Sequence, residues 1–147
     1  MNYNYFMSEA LKLAKISFDE NEVPVGAVIV KNNKIIGKGR NRRERLKNAL
    51  SHAEIEAIND ACKNLHSWRL DGCDMYVTLE PCPMCAGAII NARINKVIYG
   101  AKDESMGAVR SNISMFDLDF NFRPKVVSSV LEEECSRILS DFFKSLR

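Results

Sequence analysis

The feature that most restricts how this chain folds is a pair of short clusters, His52-Ala53-Glu54 and Pro81-Cys82-Pro83-Met84-Cys85. Cys82 and Cys85, three apart in the first turn of a helix, lie on one face and grip a single ion. The unpaired N–H groups and the dipole at that helix end favour thiolates, the form that binds metal. A catalytic zinc takes three protein ligands and leaves a fourth position for water, and His52 supplies the nitrogen ligand. One Cys-x-x-Cys alone is a weak signal, equally suited to redox chemistry or to half of a structural site. The combination with His52 carries the reading.

Glu54 has two readings. Ser51 is a plausible N-cap, and Glu54 three residues later completes the spacing of a capping box. Alternatively, Glu54 moves protons to and from a metal-activated water. Residues two apart on a helix point to nearly opposite sides, so His52 and Glu54 share a site only if the metal sits beyond the helix N-terminus.

At 147 residues the chain suits a single domain, residues 1–147, with a core that needs no staples. No run approaches the roughly 18 apolar residues of a membrane helix. Glu9, Lys12 and Lys15 interrupt the N-terminal stretch where a secretory signal would be apolar. Five cysteines, an odd count, favour metal and core roles over a disulfide framework and point to the cytoplasm. The net charge of +2 is unremarkable, but eight basic residues against Glu44 alone fall between Lys31 and Lys47. By itself that run reads as a solvated hairpin and loop; on a chain that handles nucleic acid it would read as a phosphate-binding patch.

Helical spacing of Phe6, Ala10, Leu13, Ala14 and Ser17 predicts a helix over 4–19. Residues 25–39 read as a β-hairpin turning at Asn32-Asn33. A polar loop over 41–51 follows, then a helix to about Lys63. Strands are predicted over 75–79, 96–100 and 125–129, and helices from Pro81 to Ala92 and over 131–144. This alternation after an initial hairpin implies a three-layer α/β/α domain with a mixed sheet.

His-x-Glu followed by Pro-Cys-x-x-Cys is the pattern of zinc nucleobase deaminases. The chain further resembles the bacterial tRNA-specific adenosine deaminases nearly end to end. The resemblance is carried by Val23-Pro24-Val25-Gly26-Ala27-Val28, His52-Ala53-Glu54-Ile55, Tyr76-Val77-Thr78-Leu79-Glu80-Pro81-Cys82, Gly100-Ala101-Lys102-Asp103 and the ending Leu139-Ser140-Asp141-Phe142-Phe143. It implies a cytidine deaminase-like fold with a mixed five-stranded sheet, and a homodimeric enzyme that converts adenosine to inosine at the wobble position of a tRNA anticodon. By the same likeness, His52, Cys82 and Cys85 hold one zinc ion per subunit and Glu54 is the proton shuttle. Asn41 and Ala53 would meet the target base, and Phe143 the anticodon loop. The residues alone also allow Asn41 to end a strand and Phe143 to be core.

The chain departs from the family in reading Asn48-Ala49-Leu50-Ser51 before His52, Arg40 before Asn41, and a bulkier, more charged 104–111 loop after Asp103. Two rival readings remain. A free-base deaminase acting on guanine or cytosine would keep every metal residue. A non-catalytic, zinc-stabilised RNA-binding module would need a fourth ligand from Cys62, Cys73 or Cys135.

Overall fold

A computed structural model of the chain describes residues 2–147. Helix α1 spans Tyr3–Asp19, and strands β1 (Gly26–Lys31) and β2 (Lys34–Arg40) form the predicted hairpin. Asn32 and Asn33 both take positive φ, 51° and 61°, the backbone that a two-residue primed turn demands. A four-residue helix α2 (Arg43–Leu46) interrupts the segment expected to be loop. Then come α3 (Ala53–Leu65), β3 (Asp74–Leu79), α4 (Pro83–Ala92), β4 (Lys96–Ala101), β5 (Lys125–Val127) and α5 (Glu132–Ser145).

The strands make one mixed five-stranded sheet in the order β2-β1-β3-β4-β5. β1 is antiparallel to both β2 and β3, whereas β3, β4 and β5 run parallel. Strand side chains alternate between faces, and two cores result. Ala27 and Ile29 of β1, Met75 and Val77 of β3, and Val97 and Tyr99 of β4 pack under α3 and α4. Val28 and Val30, Tyr76 and Ile98 pack on the other face against Phe6, Met7 and Ala10 of α1 and Cys135 of α5. The molecule is therefore the three-layer α/β/α arrangement with a mixed sheet that the alternation of elements implied.

Gly37 and Gly39 let α3 lie directly on the sheet. A Cβ on Gly39 would run into the Ala53 carbonyl and the Ala57 amide, and one on Gly37 would meet Ala57 and Ala61. The close seat matters because α3 carries His52 and Glu54 at its start.

The topology gathers four chain segments at one end of the sheet. Gly26 at the start of β1 pairs with Arg40 at the end of β2, and its amide donates to the Thr78 hydroxyl at 3.2 Å. Leu79 at the end of β3 pairs with Ala101 at the end of β4. The chain before β1 and the chain after β2, β3 and β4 therefore emerge together, where the first turns of α3 and α4 point.

Candidate active site

His52 is the N-cap of α3, with extended backbone (φ −79°, ψ 153°), and Cys82 is the N-cap of α4 (φ −76°, ψ 174°). Pro83 at the first helical position costs α4 no hydrogen bond, since that amide would be unpaired anyway. The predicted capping box is not formed. The helix starts one residue later than that motif requires, no side-chain cap bond is made, and Ser51 uses its carbonyl to accept the Arg42 amide at 3.0 Å.

The two helix starts bring the three expected ligands together. His52 Nδ1 lies 3.6 Å from Cys82 Sγ and 3.5 Å from Cys85 Sγ. One ligand atom from each residue lies within 4.8 Å of the others. Tetrahedral zinc at ordinary bond lengths sets a nitrogen and a sulfur about 3.5 Å apart, so the donor set and its spacing fit that ion. Among the described residues no third cysteine joins them as a fourth ligand. Cys62, Cys73 and Cys135 face the carbonyls of Trp68, Asp71 and Val130 instead.

The electrostatics divide the two thiols. The hydrogen bond from Cys85 brings Cys82 down to about 4, against the upward push of burial and with further help from His52 and the Cys85 amide. Cys85 is pushed up correspondingly, first by sharing its proton with Cys82 and then by burial. His52 is raised, first through its bond to Cys82, against burial. This is a proton-sharing cluster that a divalent cation would convert to two thiolates and a neutral imidazole.

Glu54 stands directly behind, only 4% exposed. Burial raises its carboxyl to about 7, partly offset by a hydrogen bond from its own amide and by His52. A carboxyl poised near neutrality both takes and returns a proton at working pH.

A cavity of about 240 Å³ opens onto this cluster, lined among others by Asn41, Ala53, His52, Glu54, Cys82 and Asp103. At about 30 Å³ per water that is room for about eight waters, the scale of one flat ring system. Asn41 is fixed from three sides: its Nδ2 donates to the Val23 carbonyl at 3.2 Å, its amide donates to Val25, and its carbonyl accepts the Ser17 hydroxyl. Its Oδ1 is buried without a hydrogen-bond partner, the kind of acceptor that a ligand or an ordered water satisfies. Phe143 is not part of the cavity wall. It lies on α5, 48% exposed, edge-on to the buried Phe142 at 5.5 Å.

The basic run between Lys31 and Lys47 is partly neutralised. Glu20 pairs with Arg40 at 2.9 Å and with Arg45 at 3.3 Å, and Glu56 pairs with Arg42 at 2.9 Å. Counting charge along the chain missed these acids because they arrive from the end of α1 and from α3. Arg43 remains at the cavity wall. Two further residues that the sequence reading gave no role, Glu22 and Glu80, are buried carboxylates at the backs of the loops flanking the cavity. No sequence signal marks either acid, because burial follows from the fold and not from the neighbouring residues.

The comparisons agree with this geometry. The family model of MafB19-like deaminases matches residues 1–147. The chain is 48% identical over 143 residues to the tRNA-specific adenosine deaminase of Bacillus subtilis, covering 97% of this chain and 89% of that protein. A solved structure from work on A-to-I editing by tRNA:A34 deaminases at the wobble position superposes with a TM-score of 0.89 at 43% identity, covering 92% of this chain and 99% of that one. The guanine deaminase of Bacillus subtilis is more distant, with a TM-score of 0.67 at 34% identity over 99% of this chain and 94% of that one.

Proposed function

Because the chain belongs to the MafB19-like deaminases and, within them, to the tRNA-specific adenosine deaminases, we propose that its cavity takes the wobble adenosine of a tRNA anticodon and hydrolyses it to inosine and ammonia. The observation that carries this reading is the juxtaposition of His52, Cys82 and Cys85 with buried Glu54 and the half-bonded Asn41 around one cavity sized for a single base.

His52, Cys82 and Cys85 would hold zinc, which supplies Lewis acidity and makes water nucleophilic at neutral pH. The base leaves its stack to reach the cavity, as base-modifying enzymes require. Glu54 takes a proton from the attacking water and delivers it to ring N1, which draws electron density away from C6. Water oxygen bonds to C6, Glu54 takes the remaining proton from the new C6 hydroxyl and passes it to the amine, and the C6–N6 bond breaks as the C6 carbonyl forms and ammonia leaves. Asn41 Oδ1 would accept from the exocyclic amino group, and Ala53 would give the base a small apolar wall. The α4 amides near Cys82 favour negative charge developing at this end of the cavity.

Phe143 would act outside the base pocket, against the anticodon loop, and Arg43 at the cavity wall would meet its phosphates. The family likeness further carries a homodimer and a single deaminase domain spanning the chain. Exposed Ile113, Leu118 and Phe120 are apolar surface of the kind a second copy covers. Among the described residues, no helix is long and apolar enough to cross a membrane.

The test is incubation with total tRNA, sequencing for inosine, and parallel incubation with free guanine and cytosine. Inosine confined to a wobble position supports the reading. Ammonia from a free base with no inosine in tRNA would assign the chain to the free-base deaminases instead.

A further inference from the structure

Glu80 is the residue between the end of β3 and the turn that delivers Cys82, and it is 2% exposed. Its carboxylate gathers the loop that follows β4. Oε1 accepts the Asp103 amide at 3.1 Å, and Oε2 accepts the amides of Val109 at 3.1 Å, Arg110 at 2.8 Å and Ser111 at 2.9 Å. The Ser111 hydroxyl donates to Oε1 as well. A carboxylate offers about four lone-pair sites, so these five donors occupy it fully and leave nothing for substrate or proton transfer.

The sequence of the loop is built around this contact. A Cβ on Gly107 would overlap the Glu80 carboxylate and the Asp103 carbonyl. Asp103 Oδ1 accepts the amides of Ser105 and Met106 and the Ser105 hydroxyl, tightening the first turn. The Ala108 amide donates to the Pro81 carbonyl at 2.8 Å, and Ala108 and Val109 are buried in the core. Between these fastenings Asp103 and Met106 reach the cavity wall that also holds His52 and Glu54. Met106 is 53% exposed there.

We propose that Glu80 is a positioning residue for substrate recognition: its buried carboxylate is the template on which the 103–111 loop folds, so that Asp103 and Met106 are set against the incoming nucleotide. This rests on the proposed tRNA reading for the identity of what the loop meets. Because Glu80 immediately precedes the Cys82 turn, the same side chain ties the substrate-facing wall to the metal-facing one.

The test compares wild type with Glu80→Gln, Glu80→Asp and Gly107→Ala by amide hydrogen exchange, steady-state kinetics on an anticodon stem-loop, and bound zinc per chain. Glu80→Gln replaces one acceptor with a donor facing donors. Gly107→Ala disturbs the same contact from the loop side while leaving Glu80 in place. The expected result is exchange over 103–111 faster by at least about tenfold in both. With it go a KM raised about tenfold, a kcat within about threefold of wild type, and an unchanged zinc content. Glu80→Asp, which keeps the charge, should recover part of the protection. Unchanged exchange overturns the proposal, as does faster exchange with an unaltered KM. A joint fall of kcat and zinc content, with KM constant, overturns it too, since Glu80 would then serve Cys82. If Glu80→Gln does not fold, Gly107→Ala and Glu80→Asp decide by the same readouts. Should wild type leave the stem-loop unmodified, the tRNA reading fails by itself, and the exchange comparison still decides whether Glu80 templates the loop.

Discussion

Glu22 and Arg45 meet through the backbone and not as an ion pair: Glu22 Oε2 accepts the Arg45 amide at 2.7 Å. Oε1 accepts the Glu44 amide at 3.1 Å, so a side chain from beyond α1 satisfies two unpaired N–H groups at the start of α2. Those groups belong to a helix of one turn, too short to persist alone. Glu22→Ala should therefore free the α2 turn and strand two amides, lowering stability by about 1–3 kcal/mol. For a chain of this size the corresponding fall in Tm is about 2–4 °C per kcal/mol. Calorimetry on the purified variant checks this, and an unchanged Tm would remove Glu22 from the structural account.

The acid sensitivity of the neighbouring contact follows from Glu20. The hydrogen bond from Arg40 holds its carboxyl below the ordinary 4.5, against burial, with the charges of Arg40, Arg45 and Arg42 adding to the effect. A folded-state value below the unfolded one stabilises the fold fully above about pH 4.5, and that contribution is lost as pH falls through the lowered value. The stability difference between wild type and Glu20→Gln should accordingly be constant near neutrality and shrink below pH 4.5. Denaturant titrations at a series of pH values measure it. A difference that grew on acidification would contradict the pairing.

Glu54→Gln keeps the shape of the buried side chain and removes its proton chemistry. The expected loss in kcat is about 10²–10⁴-fold, with zinc content and binding of the anticodon stem-loop retained. Single-turnover kinetics with an equilibrium binding assay separate the two effects. Near-normal turnover would mean that some other group carries the protons.

Much of this molecule was legible in the sequence because its strongest signals are local. The Asn32-Asn33 turn, the hairpin it closes and the two helix starts near His52 and Cys82 each follow from a few adjacent residues. The metal cluster was legible for the same reason: residue types and spacing fix both helix ends, and the fold has only to bring the ends together. The contacts that remained hidden are long-range. Glu20 and Glu56 reduce the effective charge of the basic run from elements distant in sequence, and Glu22 caps a helix it does not belong to. Glu80 reads as an ordinary residue of Thr78-Leu79-Glu80, and its five donors come from residues 23 to 31 positions away. The capping box failed on a shift of one residue, within the usual imprecision of helix ends.

The His52, Cys82 and Cys85 triangle predicts a metal requirement with a definite ligand count. Removal of zinc with a strong chelator should abolish activity, and restoration should need the ion. Cys82→Ser and Cys85→Ser should each lower zinc content, because a neutral hydroxyl replaces a thiolate ligand. Cobalt substitution should show charge-transfer absorption for two thiolates. A spectrum for three would bring in one of Cys62, Cys73 or Cys135 and revive the reading of a closed structural site.

Asn41 offers the sharpest test of how the base is held, because its two amide atoms have different duties. Nδ2 is committed to the Val23 carbonyl, while Oδ1 is buried without a partner. Asn41→Asp keeps an oxygen at the Oδ1 position but places a second oxygen against the Val23 carbonyl, a repulsion that should dislodge the side chain. Asn41→Ala removes both contacts and leaves space. If Oδ1 serves the base, Asn41→Ala should reduce kcat/KM about 10-fold to 100-fold, the value of one buried hydrogen bond to a ligand, while zinc content is kept and stability falls by about 1 kcal/mol for the lost Val23 contact. The comparison substrate is a stem-loop with purine in place of the wobble adenine, which lacks the exocyclic amino group and serves as an inhibitor. Its inhibition constant should be nearly equal for wild type and Asn41→Ala if Oδ1 accepts from that amino group. A loss of inhibitor affinity as large as the loss in kcat/KM would instead assign Asn41 to the ring or the sugar.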